Sequence, residues 1–246
     1  MRKANLLIIP LTILILNGQC TSKKQKQQKS IVETQNIIPN SIKSEIAIKI
    51  IEGAKNNKVI EKSSIILNDK NAIPFFFNYQ KENLENKVRI TTRFGSIDIR
   101  LFGDTPYHRA NFIYLTKKGY FDSTTFHRVV PDFIIQGGNS DRYETSRKRS
   151  EIGKYLLPPD TRKGHKHHRG VISMPSSEIE NPYKLASPFE FFIVQKVNGA
   201  YHLDGSYTVF GEVIAGMEIV DEINKQRTDN LETPLTNIFM KISILE

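Results

Sequence analysis

Eight short strand-like runs lie between Val88 and the C-terminus. Val88, Ile90 and Thr92 alternate, Gly95-Ser96 interrupts, and Ile97, Ile99 and Leu101 alternate again. That pattern predicts a β-hairpin with a glycine-containing turn. Further runs fall at Thr125–Val130, Phe133–Gln136, Val171–Met174, Phe191–Val194 and Thr208–Phe210. The chain ends with Ile238, Met240, Ile242 and Ile244 in strict alternation, the pattern of a half-buried strand. Two segments have helical spacing instead. Thr105 is an N-cap followed by Pro106 at the first helical position, Ala110, Ile113 and Tyr114 share a face, and Gly119 closes the helix. Met217, Val220 and Ile223 lie three apart and predict a second helix over Met217–Lys225. The fold expected for 88–246 is mostly β. About eight short strands with two helices argue for a closed β-barrel, since closure removes exposed edges.

The preceding 87 residues follow other rules. Arg2 and Lys3 stand before the 11-residue apolar run Leu6–Leu16, which is too short to span a bilayer as a helix and suits an export signal. The only cysteine follows in Leu16-Asn17-Gly18-Gln19-Cys20. Residues 1–20 thus resemble a bacterial lipoprotein signal, in which Cys20 would carry the lipid. Leu16 sits four residues before the cysteine instead of three, and Gln19 replaces a small residue. Residues 21–40 are polar, Lys- and Gln-rich and too poor in apolar side chains to offset the entropy of ordering, so a disordered tether is expected. Residues 41–87 form an N-terminal extension whose Ile46, Ile48 and Ile50 fit a strand, while Ile42, Ile46 and Ile50 equally fit a helix face. Its Pro74-Phe75-Phe76-Phe77 run must pack, most simply on the domain that follows.

Composition narrows the classes. The net charge of +9 over 246 residues divides into +5 within 1–40 and +5 within 140–170, leaving the rest near neutral. A nucleic-acid binder needs its cations along one continuous face, and none is expected here as a partner. A single cysteine excludes an internal disulfide framework and a Cys-based zinc site. The segment at about 140–169 carries Arg147-Lys148-Arg149 and Gly164-His165-Lys166-His167-His168-Arg169. Its histidine spacing suits no single helical face and its cations oppose a metal ion, so it is expected to be a solvated basic loop without metal. A role in substrate choice follows from its leaving the barrel near the predicted site. Tyr183-Lys184-Leu185-Ala186-Ser187-Pro188 belongs to another rim loop, and His108 reads as capping or packing.

The most specific stretch is Phe126-His127-Arg128-Val129-Val130-Pro131-Asp132-Phe133-Ile134-Ile135-Gln136-Gly137-Gly138. A cation among strand-forming apolar residues is costly unless it serves a ligand. Even spacing would put Arg128 and Gln136 on one face, with Pro131 interrupting the strand. His127 would face the opposite way from Arg128 and be structural. The whole phrase resembles the cyclophilin signature F-H-R-(V/I)-(I/V)-x-x-F-(M/I)-x-Q-G-G. The resemblance continues in order through Gly170-Val171-Ile172-Ser173-Met174, Phe189-Glu190-Phe191-Phe192-Ile193, His202-Leu203-Asp204-Gly205, Tyr207-Thr208-Val209-Phe210-Gly211 and Gly216-Met217-Glu218-Ile219-Val220.

The family resemblance implies a closed eight-stranded antiparallel β-barrel capped by two α-helices and cofactor-free peptidyl-prolyl cis-trans isomerase activity. By the match, Arg128 is the catalytic donor, Phe133, Ile134, Phe192 and Leu203 form the proline pocket, and Gln136 hydrogen-bonds the substrate backbone. Pro175 and Ser176 match the positions whose main chain holds the residue before proline, and His202 and Tyr207 line the rim. The family's pocket Met is Ile134, its Gln is Glu190, its small-Asn-small trio is Pro175-Ser176-Ser177, its Trp is His202 and its later His is Tyr207. The Trp change removes the indole N–H that the family uses for cyclosporin. The reading is a monomeric isomerase in a bacterial envelope, lipid-anchored through Cys20, facing the periplasm and acting on Pro-containing segments of exported proteins. The alternatives are a non-catalytic Pro-peptide-binding module using the same groove and a structural lipoprotein with a relic pocket.

Overall fold

A computed structural model describes residues 65–176 and 181–246. The signal-like segment with Cys20, the polar stretch 21–40 and the first part of the 41–87 extension lie outside them. In chain order the elements are β1 (Leu67–Asn68), α1 (Ala72–Glu82), β2 (Lys87–Thr92), β3 (Gly95–Leu101), α2 (Pro106–Lys117), β4 (Thr125–Val130) and β5 (Ile134–Asn139). There follow α3 (Tyr143–Ile152), β6 (Gly153–Lys154), β7 (Val171–Met174), β8 (Phe191–Val194), β9 (Thr208–Ala215), α4 (Met217–Asn224) and β10 (Lys241–Ile244).

Eight strands form one antiparallel sheet in the order β10-β2-β3-β9-β7-β8-β5-β4. The sheet curls into a half-barrel and is open, not closed as the strand count suggested. Its edge strands β10 and β4 share no ladder. The residues just before β10 reach the start of β4 instead, through a bridge between Thr125 and Phe239. Phe126 N–H donates to the Ile238 carbonyl and Met240 N–H to the Thr124 carbonyl, each at 3.0 Å. Ile238 and Met240, which the alternation assigned to the last strand, are buried at this seam.

The inner face of the sheet holds the main core. Phe126, Val129, Ile135, Phe191, Ile193, Ile172, Met174 and Phe210 belong to it. Against them lies α2, in which every residue from His108 to Thr116 is buried. Thr105 precedes α2 as expected but makes no side-chain cap bond; its hydroxyl turns back to the Phe102 carbonyl at 3.4 Å.

Two helices were expected, and four occur among the described residues. The Pro74–Phe77 run lies inside α1 and packs on α2, with the Phe75 and Tyr114 rings 5.1 Å apart and Phe76 fully buried. Arg109 of α2 secures the end of α1 by donating to the carbonyls of Asn83 at 2.7 Å, Glu85 at 3.2 Å and Gln80 at 3.2 Å. A guanidinium at a helix C-terminus satisfies carbonyls that have no intrahelical partner.

The basic segment at 140–169 is not a solvated loop. It contains α3, then β6 paired in parallel with β1, then a 3₁₀ turn at Thr161–Lys163. Ile152, Tyr155, Leu157 and His167 anchor it in the interior. Tyr155 donates its hydroxyl to Asn111 Oδ1 at 2.7 Å, and Leu157 pairs with Ala186 of the rim loop. Charge does not prevent burial here because the cations stay outside or find acceptors. Lys148 bonds the Gly119 carbonyl, and Arg147 pairs with Glu151 one helical turn away.

His108 is packing, as expected, and it is packed without a hydrogen-bond partner on either ring nitrogen. Burial pushes its pKa down from 6.5 to about 3. Over that interval the unfolded chain binds a proton that the folded chain refuses, so His108 favours the fold at neutral pH and this contribution is lost as pH falls from 6.5 toward 3. Urea unfolding midpoints should therefore decline between about pH 7 and pH 4, and the His108→Leu variant should show a shallower decline.

Candidate active site

Strand β4 departs from alternation at His127–Arg128. Phe126 and Val129, three residues apart, both face the core, while His127 and Arg128 between them are both half-exposed. The register with β5 slips there, with Phe126 opposite Gly137 and Arg128 opposite Gln136. This β-bulge puts two consecutive side chains on the outer face. His127 therefore does not point away from Arg128. Arg128 and Gln136 also sit on paired strands and not along one strand, with Pro131–Phe133 forming the turn between them.

Pairing extends this pair into a row across the sheet. Arg128 faces Gln136, Gln136 faces Phe192, and Phe192 faces Ser173. Two residues along, Val130 faces Ile134 and Ile134 faces Val194. This outer face carries a second apolar cluster of Ile134, Val171, Phe192, Val194, Ala200 and Val209. Phe133, Leu203 and Tyr207 pack against it from the loops. His202 is exposed and stacks on Phe133 with ring centroids 5.4 Å apart, and Tyr207 meets Phe192 edge-on at 6.1 Å. Phe133, Ile134, Phe192, Leu203, Tyr207 and His202 thus come together at one end of the row that begins with Arg128 and Gln136.

A polar chain runs along the other end. Arg128 Nε donates to Glu232 Oε2 at 2.7 Å, and Arg128 Nη1 donates to Gln136 Oε1 at 3.3 Å. Gln136 Nε2 donates to Glu190 Oε2 at 2.9 Å, and His127 Nε2 lies 3.6 Å from the same oxygen. Burial pushes the Glu190 carboxyl up. The hydrogen bond from Gln136, the nearby His127 ring and the charge of Arg149 outweigh it, so the pKa lies below the ordinary carboxylate value. Glu190 is therefore ionised at neutral pH and keeps the Gln136 carbonyl oxygen turned toward Arg128.

Pro175 and Ser176 adjoin the end of β7. Pro175 has no N–H, and its carbonyl already accepts from Ser187 N–H at 2.7 Å. The Ser176 hydroxyl accepts from Asn181 Nδ2 at 3.0 Å. Of the two, Ser176 is the better supplier of main-chain groups.

Sequence reasoning missed two residues here. Glu232 lies 104 positions from Arg128, with no local signal linking them. His167 stacks on Phe192 at 6.0 Å, with Nδ1 2.8 Å from Asp204 Oδ1 and Nε2 3.1 Å from Ser173 Oγ. Burial lowers the His167 pKa, with Asp204 offsetting part of the effect. The three neighbouring histidines diverge, since His165 goes to Asp104, His167 to Asp204 and His168 to Tyr201. Among the described residues no group of three or more His, Cys, Asp or Glu side chains is arranged to hold a metal ion.

Gly138 sets how closely the Glu190 segment approaches β5. Its φ is +102°, and an added Cβ would lie 2.3 Å from the Phe189 carbonyl oxygen. The obstacle is backbone on both counts, so Gly138→Ala should lower stability by more than about 1 kcal/mol and displace Glu190. A drop in unfolding midpoint measures the first effect, and loss of the Gln136–Glu190 hydrogen bond in a crystal structure of the variant measures the second.

Residues 87–244 match the family described as "Cyclophilin type peptidyl-prolyl cis-trans isomerase/CLD". A peptidyl-prolyl cis-trans isomerase-like 2 of Rhizopus delemar is 35% identical over 167 residues, which are 67% of this chain and 30% of that protein. The chain thus spans under a third of that relative's length. A peptidyl-prolyl cis-trans isomerase of Arabidopsis thaliana is 36% identical over 153 residues, covering 61% of this chain and 90% of the relative. A cyclophilin type peptidyl-prolyl cis-trans isomerase of Cryptosporidium parvum superposes with a TM-score of 0.55 at 28% identity, over 66% of this chain and 98% of that one. Its crystal structure in the presence of the dipeptide Ala-Pro gives a TM-score of 0.54 at 29% identity, over 65% and 99% of the two chains. The family match runs through β2 to β10 and contains both the apolar cluster and the Arg128 row, and the chain belongs to the cyclophilin-type peptidyl-prolyl cis-trans isomerase family.

Proposed function

We propose that the protein accelerates rotation about X–Pro peptide bonds in exported proteins, with Arg128 as the catalytic group. One observation carries this reading: Arg128 and Gln136 stand at the head of the same outer sheet face that bears the Ile134–Phe192 apolar cluster. Family membership and the crystal structure of the Cryptosporidium relative in the presence of the dipeptide Ala-Pro support it.

The chemistry asks little of a site. Amide resonance sets a rotation barrier of about 18–20 kcal/mol, and uncatalysed exchange takes roughly 10–100 s. No covalent bond forms or breaks, so the reaction calls for no nucleophile or cofactor. The proline ring rests against Phe133, Ile134, Phe192 and Leu203, with Tyr207 and His202 at the rim. Gln136 and the Ser176 main chain hold the peptide on either side of the bond. Twisting the amide localises a lone pair on the prolyl nitrogen, and an Arg128 N–H donates to it. The planar ground state offers no such acceptor, so the interaction favours the transition state selectively. Lowering the barrier by about 7 kcal/mol gives roughly 10⁵-fold acceleration.

The setting follows from the first 40 residues. The protein is exported and tethered by lipid on Cys20 to a bacterial envelope membrane, facing the periplasm, and works as a monomer. No helix among the described residues is long and apolar enough to cross a membrane.

In a prolyl-isomerisation assay Arg128→Ala should lose about two orders of magnitude in kcat/KM while still binding a Pro-containing peptide. Wild-type activity at background level with peptide binding retained would mean a non-catalytic binding module. Mass spectrometry of membrane-extracted protein should find a lipidated Cys20 as the first residue; an unmodified chain beginning at Met1 would refute the anchor.

A further inference from the structure

We infer that Glu232 is a positioning residue that sets the orientation of the Arg128 guanidinium before substrate arrives. The inference rests on the proposed role of Arg128. Glu232 is the only carboxylate paired with Arg128 among the described residues, and it comes from the loop between α4 and β10.

The loop is shaped to deliver that carboxylate. Glu232 has a φ of +65°, a left-handed conformation that a non-glycine side chain rarely adopts. It is held there by main-chain bonds on both sides. Glu232 N–H donates to the Asp229 carbonyl at 3.1 Å, and its own carbonyl accepts from Val129 N–H at 2.8 Å. The Asp229 carboxylate accepts from Leu231 N–H at 2.8 Å and Thr233 N–H at 2.9 Å, closing the turn beneath it. The bond to Val129 ties the loop to the residue next to Arg128, immediately beyond the bulge. The carboxylate thus meets the guanidinium from a backbone that is itself bonded to β4.

An arginine presents five N–H groups in a rigid planar fork. Glu232 takes Nε–H and Gln136 takes one hydrogen of Nη1, so two bonds from different directions fix the plane. The other three N–H groups have no partner among the described residues and remain for a substrate. Both partners of the ion pair are about 40% exposed, at 40% and 39%, so it adds little to stability, as exposed pairs generally do. Its effect lies in orientation. A free arginine side chain has many rotamers, and a donor that must first find its place acts at lower effective concentration than one already aimed.

Glu232→Ala should lower kcat about tenfold with KM changed by less than about twofold, because the apolar cluster that holds proline is untouched. Glu232→Gln keeps an acceptor oxygen and should recover most of the activity. Both variants should melt within about 3 °C of the wild type. In a double-mutant cycle, Arg128→Ala with Glu232→Ala should be no worse than Arg128→Ala alone, since Glu232 acts through the arginine. Unchanged or increased kcat in Glu232→Ala, with Arg128→Ala inactive, overturns the inference and leaves the role of Arg128 standing. Full activity in Arg128→Ala overturns both.

Discussion

The candidate site depends on a single extra residue in β4. With Phe126 committed to the core, strict alternation would send Arg128 inward beside it, where an unpaired guanidinium is untenable. The bulge at His127 and Arg128 resolves the conflict by turning both outward and restoring Val129 to the core. The arrangement of the candidate site follows from that slip. Arg128 faces Gln136, Gln136 faces Phe192, and the guanidinium shares a sheet face with the apolar cluster.

That sheet is buried on both faces along β5, β7, β8 and β9. The inner face packs on α2, while loop residues such as Phe133, Leu203 and Tyr207 cover the outer face. A sheet face lined by Ile134, Phe192, Val194, Val171 and Val209 and covered by loops offers an apolar surface at its rim. The basic segment supports that cover from behind. His167, placed by the segment after α3, stacks on Phe192 and contacts Asp204 in the loop that carries His202 and Leu203. Tyr155 and Leu157 anchor the same segment to α2 and to the rim loop. The segment that looked like a charged decoration is part of the scaffold beneath the site.

The electrostatics around Arg128 are balanced on both sides. Glu232 binds it directly, and Glu190 acts through Gln136. Glu190 is the more buried of the two carboxylates, at 14% against 39% side-chain exposure, and His127 and Arg149 keep it ionised. An ionised Glu190 accepts from the Gln136 amide and so commits the Gln136 oxygen to the arginine. Two local choices, a glutamate at 190 and a bulge at 127–128, thereby orient one amide and one guanidinium.

The sequence alone carried the hairpin at 88–101, α2 and α4, the strands β7 and β8 and the last strand. These are set by nearest-neighbour periodicity and by turn residues, which act over a few positions. The motif resemblance named the residues around Arg128 for the same reason, since they are contiguous or collinear. It could not show that the sheet stays open, because the seam depends on how residues 238–240 meet β4 across more than a hundred positions. It could not show α1 and α3 either: one is masked by a Phe-rich run and the other has no apolar stripe, so tertiary contacts decide both. The outward turn of His127, the burial of His167 and the Glu232 clamp on Arg128 belong to the same class. Each is settled by a partner far away in the chain, and periodicity in one dimension holds no record of who faces whom after folding.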